Sequence, residues 1–344
     1  HIGTNKLPHI ITAMREHILA CGGQIHFQTR FTGLVTSKGS VTGIELQDGS
    51  TIAADAVILA TGHSARDVFE ILYRSGVEIE AKPFALGVRV EHPQQLIDAV
   101  QYRCAVRDPL LPPAAYSLVE QVQGKGVFSF CMCPGGIIAP ASTAPGELVV
   151  NGWSPSRRNN PYANSGMVVT VSEADAWRYF KQTGTLQPGM EQHPLLLMWF
   201  QQAIEQKAYA AGGGSFVAPA LRITDFCNRK LSASLPDCSY LPGLKAAALD
   251  QVLPDFVYED LQLGFRAFDR KMKGYLSAEA VVVATESRTS SPVRIPRNAD
   301  SLQHPQLQRL FPCGEGAGYA GGIVSAAMDG ERVAHAIHQQ LLHP

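Results

Sequence analysis

Ala56-Val57-Ile58-Leu59-Ala60-Thr61-Gly62 is an apolar run that stops abruptly at Thr-Gly. Such a run predicts a buried strand whose end turns sharply. A run of the same texture, Ala280-Val281-Val282-Val283-Ala284-Thr285-Glu286, returns more than two hundred residues later. Two buried strands of this kind predict one α/β sheet interrupted by a long insertion, with chance recurrence as the competing reading.

The flanking sequence fits that division. Ile10, Ile11, Met14 and Ile18 recur at helical spacing, with Thr4 or Asn5 as cap, Pro8 in the first turn and Gly22-Gly23 as the stop. Gln24–Thr29 is expected to be a strand. Leu34–Ser37 and Val41–Leu46 flank Lys38-Gly39-Ser40, a hairpin signal, and Asp48-Gly49 is a second one. A helix is expected over Asp67–Ser75. From about Glu80 to Gly274 the texture changes. Strands are expected at Phe84–Glu91, Gly126–Cys131, Glu147–Gly152 and Met167–Val171, and helices at Glu173–Thr183, His193–Ala211 and Pro254–Met272. Gly212-Gly213-Gly214 reads as a joint, because no helix start follows it directly.

The chain has 344 residues, 45% hydrophobic and 17% charged, with a formal net charge of −1. That is a soluble globular composition with no long run of one sign. It argues against a nucleic-acid groove or a polybasic membrane patch. No window of about eighteen uninterrupted apolar residues predicts a spanning helix. The start lacks both a signal-peptide core and an initiator Met, as expected of a cytoplasmic chain that begins inside a longer protein. Cys21, Cys104, Cys131, Cys133, Cys227, Cys238 and Cys313 are odd in number and scattered, which favours a reducing compartment. With Cys131 and Cys133 the only close pair, no metal site is expected.

The tail reads Phe311-Pro312-Cys313-Gly314-Glu315-Gly316-Ala317-Gly318-Tyr319-Ala320-Gly321-Gly322-Ile323 and runs into a helix ending near Leu342. Ile323, Ala327, Gly330, Ala334, Ile337 and Leu341 fall on one face, expected to lie against a sheet. The glycines let backbone approach a ligand, and the helix start offers free N–H groups to an electron-rich one. A ligand-free tight turn is an equal reading of the same residues. No Gly-x-Gly-x-x-Gly follows a first strand anywhere in the chain, so a complete dinucleotide-binding unit is not expected.

Taken in order, several motifs resemble those of a family of bacterial FAD-dependent dehydrogenases with a glutathione-reductase-like FAD domain. They are His1-Ile2-Gly3-Thr4, Ala60–Asp67, Lys82–Pro93, Cys131–Gly136, Asn164-Ser165, Glu286–Arg294 and Gly314–Ile323. The chain resembles roughly the C-terminal two-thirds of such proteins. The resemblance implies an α/β plus α+β fold. An incomplete FAD/NAD(P)-binding, Rossmann-like domain (residues 1–78 and 276–344) would be interrupted by a large mixed α+β insertion at 79–275. It also implies FAD as cofactor, and a hydride passing between FAD and a small-molecule substrate, with a separate electron acceptor. Thr61 and Gly62 would mark the strand end nearest the cofactor, and Phe31 would lie near the adenine. Glu315 would meet ribityl or ribose hydroxyls. Gly314, Gly316, Ala317, Gly318, Tyr319, Gly321, Gly322 and Ile323 would complete the cofactor-binding turn.

The catalytic candidates are Cys131, Cys133, Glu286, Arg288 and His63. In an extended segment Cys131 and Cys133 face the same side, too far apart for an unstrained disulfide. One of them facing flavin or substrate competes with both being packed as small hydrophobes. Glu286 and Arg288 read either as substrate ligands or as salt-bridge partners. His63 reads as an acid/base group or an ordinary histidine. Arg157-Arg158, beside Asn159-Asn160, reads as an anion receiver or a surface loop. Two other functions stay open: a truncated, flavin-free fragment or non-catalytic binding module of such a protein, and a redox accessory to RNA or cofactor modification.

Overall fold

The computed structural model describes residues 2–342, so His1 of the first motif lies outside the described residues. The chain begins with a short 3-10 turn, Thr4–Lys6, and α1 (Leu7–Ala20). Then come β1 (Phe31–Ser37), β2 (Ser40–Leu46), β3 (Thr51–Ala53), β4 (Val57–Leu59), α2 (Arg66–Arg74), β5 (Glu80–Ala81), β6 (Phe84–Pro93) and α3 (Gln94–Tyr102). Next are β7 (Val119–Val122), β8 (Lys125–Cys133), β9 (Ile137–Pro140), β10 (Val150–Trp153), β11 (Tyr162–Val171), α4 (Glu173–Gln182) and α5 (Leu196–Gly212). The rest are β12 (Ala218–Arg222), α6 (Ile223–Cys227), β13 (Leu244–Ala246), α7 (Asp255–Lys271), β14 (Val281–Glu286), β15 (Val293–Arg294), β16 (Leu310–Pro312) and α8 (Ile323–Leu342).

Two compact units divide the chain. The first takes the start up to Gln24, Ala85–Thr170 and Gln201–Arg288; the second takes Ile25–Phe84, Val171–Phe200 and the chain from Thr289 onward.

The first unit is built on a seven-stranded mixed sheet in the order β13-β12-β14-β6-β11-β8-β7. β12 and β13 are parallel, whereas β14 is antiparallel to both β12 and β6. Every residue of β14 is buried, as its apolar run predicts. Its partners do not match expectation. The 280–286 strand does not share a sheet with the 56–62 strand, because β4 pairs instead with β16 in the second unit. Apolar texture reports burial on both faces and says nothing of which neighbour supplies it.

α7 covers β7 and β8 with Val257, Leu261, Gly264, Phe265 and Phe268, spaced by threes and fours and all buried. Each large side chain so buried contributes about 1.5–3 kcal/mol. Phe265 and Phe268 pack on Tyr275, whose ring centroid lies 4.7 Å from that of His92. Burial pulls His92 down from 6.5 to about 4, although its Nε2 stands 2.8 Å from the Tyr275 carbonyl. A histidine kept neutral inside must take up a proton on unfolding. Stability is therefore expected to be intact above pH 6.5 and to fall by about 3 kcal/mol as pH drops towards 4. Urea titrations across that range check this, and the fall should shrink in His92→Gln.

In the second unit β1, β2 and β3 form an antiparallel meander, with β1 and β2 joined across Lys38-Gly39 as the hairpin signal predicts. β4 pairs in parallel with β16, and β5 pairs antiparallel with β15. Val41, Leu59, Phe69, Leu72, Val293 and Leu310 pack into the core of this unit.

Several expectations fail locally, each for a physical reason. Gln24–Thr29 forms no strand, and Phe27 is 70% exposed. β4 is not buried on both faces, since Ile58 is 42% exposed. Thr4 and Asn5 do not cap α1. Their side chains bond Ser154 and Ser156 instead, tying the chain start to the loop after β10. On α8 the packed residues are Asp329 and Val333, with Ala336 and Ile337 partly buried, whereas Ile323, Ala327, Ala334 and Leu341 are exposed. The small-residue stripe holds only at Gly330 and Ile337, which are partly buried; the packed face is centred on Asp329, which bonds Arg297, and Val333.

Candidate functional site

In the second unit the two motifs assigned to the cofactor meet by backbone contact. A Cβ on Gly316 would stand 2.5 Å from the Gly62 carbonyl oxygen and 2.8 Å from its nitrogen, so only glycine lets the two segments touch. The Cys313 N–H donates to the Leu59 carbonyl at 3.0 Å, and Ser291 Oγ donates to the Gly316 carbonyl at 3.3 Å. Thr61 and Gly62 therefore lie at the end of β4, against the turn. Across the same contact His63 Nδ1 lies 3.1 Å from Glu315 Oε1, an ion-pair distance.

The turn is fixed at its other end by α8. Arg297 reaches both carboxylate oxygens of Asp329, at 3.0 and 2.6 Å, and the Gly314 N–H donates to the same group at 2.8 Å. Burial alone would raise the Asp329 carboxyl; Arg297 and the Gly314 N–H outweigh it and hold it below the usual range. Tyr319 is clamped between cations. Its ring lies 3.8 Å from the Arg297 guanidinium and 4.8 Å from that of Arg294, and its hydroxyl accepts from the Arg297 N–H at 2.9 Å.

Lys82 and Arg294 both come up to Gly318, and Lys82 lies in the field of Glu315. Burial, with Arg294 adding to it, holds the Lys82 ammonium below its ordinary range. α8 makes its first intrahelical bond from Ala326 to Gly322. The N–H groups of Ile323, Val324 and Ser325 thus precede the helical ladder. Gly321 has open space where a side chain would be, and a Cβ on Gly322 would only touch Ser325 Oγ at 3.9 Å. Phe31 opens β1 and packs half-buried against the unit's core.

In the first unit the structure brings together Cys131, Cys133 and Glu286 around a residue not among the candidates, Arg89. This guanidinium is fully buried and lies 3.2 Å from both oxygens of Glu286. Its Nε donates to Asn164 Oδ1 at 2.8 Å, and its Nη2 donates to the Cys131 carbonyl at 2.5 Å and stands 3.5 Å from Cys133 Sγ. Burial pushes the Glu286 carboxyl up against the opposing pull of Arg89. A Cβ on Gly152 would overlap the guanidinium outright, so β10 must carry glycine there.

The two cysteines do not face the same side. Cys133 pairs with Asn164 and Phe130 with Gly166, so Cys131 and Met132 of β8 stand against Ser165 alone of β11, which is a β-bulge. Cys131 sits in that bulge at φ +45°, exposed, while Cys133 is buried and its thiol is pushed up by that burial, with Arg89 opposing. Glu286 and Arg288 do not pair with each other. Arg288 lies between Glu205, at 2.9 Å, and Glu147, at 3.3 Å, and also donates to Thr143 at 2.7 Å. His63 belongs with Glu315 in the other unit.

Sequence reasoning missed Arg89, Asn164, Lys82 and Arg294 as site residues. The signal for Arg89 was present: one arginine inside Phe84-Ala85-Leu86-Gly87-Val88-Arg89-Val90, a charge in a run otherwise suited to full burial.

The family described as "FAD-dependent protein, C-terminal domain-like" matches residues 83–289, and the chain belongs to it. A protein of Clostridium beijerinckii described as uncharacterized is 42% identical over 341 residues. The match covers 98% of this chain and 61% of that protein, so the chain spans less than two thirds of the relative's length. Among solved structures, tetracycline destructase Tet(51) is 16% identical over 47% of this chain and 34% of its own, with a TM-score of 0.20. A mutant of P. aeruginosa PqsL is 13% identical over 76% and 62%, with a TM-score of 0.23. At such scores neither likeness bears on the fold. Among the described residues no helix is long and apolar enough to cross a membrane.

Proposed function

We propose that this chain is part of a cytoplasmic FAD-dependent oxidoreductase of Rossmann-like type, one that moves a hydride between a small-molecule substrate and FAD and passes electrons to a separate acceptor. The observation that carries this reading is the backbone contact of Gly316 with Gly62, which joins the end of β4 to the turn before α8. Around that contact stand the groups an FAD would need. Free N–H groups and the cations Lys82 and Arg294 suit phosphate or a reduced, negatively charged ring. Glu315 suits sugar hydroxyls, and the open space at Gly321 lets a planar group approach. FAD, when bound, supplies the two-electron chemistry.

Within this reading Arg297 and Asp329 hold the turn in place, and Tyr319 stiffens it. His63 either orients Glu315 or holds a proton beside it. Cys131, Cys133 and Glu286 belong to the substrate side, with Arg89 fixing their positions. No motif in this chain matches a pyrophosphate loop. The cytoplasmic setting is supported by the cysteines, all seven of them free thiols.

Titration with FAD, followed by absorbance near ~450 nm and by quenching of flavin fluorescence, tests the reading. Lys82→Met is expected to weaken FAD binding about five- to tenfold, the worth of one partly buried charge contact. Unchanged affinity in that variant would remove Lys82 from the site.

A further inference from the structure

We propose that the cleft beside Arg158 in the first unit binds the oxyanion group of a small molecule, a carboxylate or a phosphate ester. This inference stands apart from the flavin reading and uses none of its residues. The cleft holds about 500 Å³ and is lined in part by Pro93, Gln95, Asp98, Arg107, Arg158 and Asn160.

The charges in the cleft are unequal. Asp98 is already satisfied: its carboxylate takes Arg107 Nε, Gln94 Nε2 and the Ala114 N–H, each at 2.8 Å. Arg107 is spent on that pair and on the Leu111 carbonyl. Arg158 has no ion pair among the described residues, and its Nε is buried without a hydrogen-bond partner. A buried guanidinium N–H left unmade is costly, and an oxyanion satisfies it with charge.

The remaining groups are donors too. α3 begins at the cleft with Pro93 as N-cap, no side-chain cap and no acidic residue in its first turn. The Gln94 N–H goes to the Pro161 carbonyl, which leaves the Gln95 and Leu96 N–H groups ahead of the helical ladder. Asn160 spends its Oδ1 on the Tyr162 N–H at 3.1 Å, so its amide nitrogen is the end left to donate. Tyr162 at the rim stays a neutral phenol, raised by burial and then by Asp237 and Glu91.

The backbone that carries Arg158 is held from both sides. Its N–H donates to the Pro155 carbonyl at 3.1 Å, the Asn160 N–H donates to the Gly135 carbonyl at 3.3 Å, and the Gly135 N–H donates to Gln94 Oε1 at 2.7 Å. Upstream, Ser154 and Ser156 are bonded to Thr4 and Asn5. An arginine on a fixed loop loses little freedom when it binds.

The test follows the arginine Nε–Hε signals by NMR while inorganic phosphate and, separately, acetate are added to the protein as purified, its FAD content recorded. One resonance, absent in Arg158→Gln, is expected to shift saturably with millimolar affinity. Arg158→Gln should weaken binding about tenfold or more and Arg158→Lys less, while Arg157→Gln at the exposed neighbour should stay within about twofold. A response to phosphate alone assigns a phosphate ester; a response to both assigns a carboxylate as well. No saturable shift, equal binding in Arg158→Gln, or equal loss in Arg157→Gln overturns the proposal. None of these outcomes depends on whether FAD is bound.

Discussion

Glu286→Ala is expected to destabilise the first unit by about 3–5 kcal/mol, the cost of leaving a fully buried guanidinium without its carboxylate. Arg89 is 0% exposed and Glu286 2%, so water cannot replace the lost partner. Asn164 and the Cys131 carbonyl still accept hydrogen bonds from Arg89, yet neither carries charge to balance it. Replacing both members, as Arg89→Met with Glu286→Leu, is expected to recover much of the loss, because a buried ion pair and a well-packed apolar pair differ little in net stability. Urea unfolding of the two single variants and the double variant decides this through the coupling energy. A second readout separates charge from packing. Burial chiefly holds the Cys133 thiol up and Glu286 adds to it against Arg89, so removal of Glu286 should make that thiol more acidic. If Glu286→Ala costs no more than a surface change, Arg89 and Glu286 are not the centre of this cluster.

Gly316→Ala is the second large effect. Its methyl group would fall 2.5–2.8 Å from the Gly62 backbone, and backbone cannot swing aside as a flexible side-chain tip can. Neither segment is free to retreat. Leu59 is bonded to Cys313, the Ala317 carbonyl accepts from Ile295 at 3.2 Å, and the Gly316 carbonyl accepts from Ser291. Overpacking of this kind costs about 1–3 kcal/mol. On the flavin reading the same change pushes the turn off the end of β4 and weakens FAD binding by about tenfold or more. Gly321→Ala is the control. Nothing lies within 4 Å of its added carbon, so stability should be unchanged. Equal behaviour of the two variants would mean that the Gly316–Gly62 contact holds nothing together.

The strands at 84–93, 125–133 and 281–286 were legible because burial on a sheet leaves an apolar run that any reader of the sequence meets. What the runs do not encode is pairing. Val281–Glu286 and Val57–Leu59 look alike as text and lie in different sheets. Asp329 shows the same limit on a helix: a pattern of small residues suggested a face of α8 that meets the packed one only at Gly330 and Ile337, while Asp329, bonded by both terminal nitrogens of Arg297, lies outside that pattern. The glycine turn and Thr61-Gly62 were legible as motifs, and their mutual contact was not, since it depends on two backbones meeting across more than two hundred residues. The bulge at Cys131 was invisible for a related reason. One extra residue in a strand is seen only against its partner.

The central claim, that this chain belongs to a working flavoprotein, is tested most directly by purifying the protein in its full natural length, denaturing it and analysing what is released. About one equivalent of FAD per chain, its absorbance near ~450 nm bleached by reductant before denaturation, is the result this account predicts. A colourless, folded protein that releases no flavin and takes up none from added FAD would contradict it.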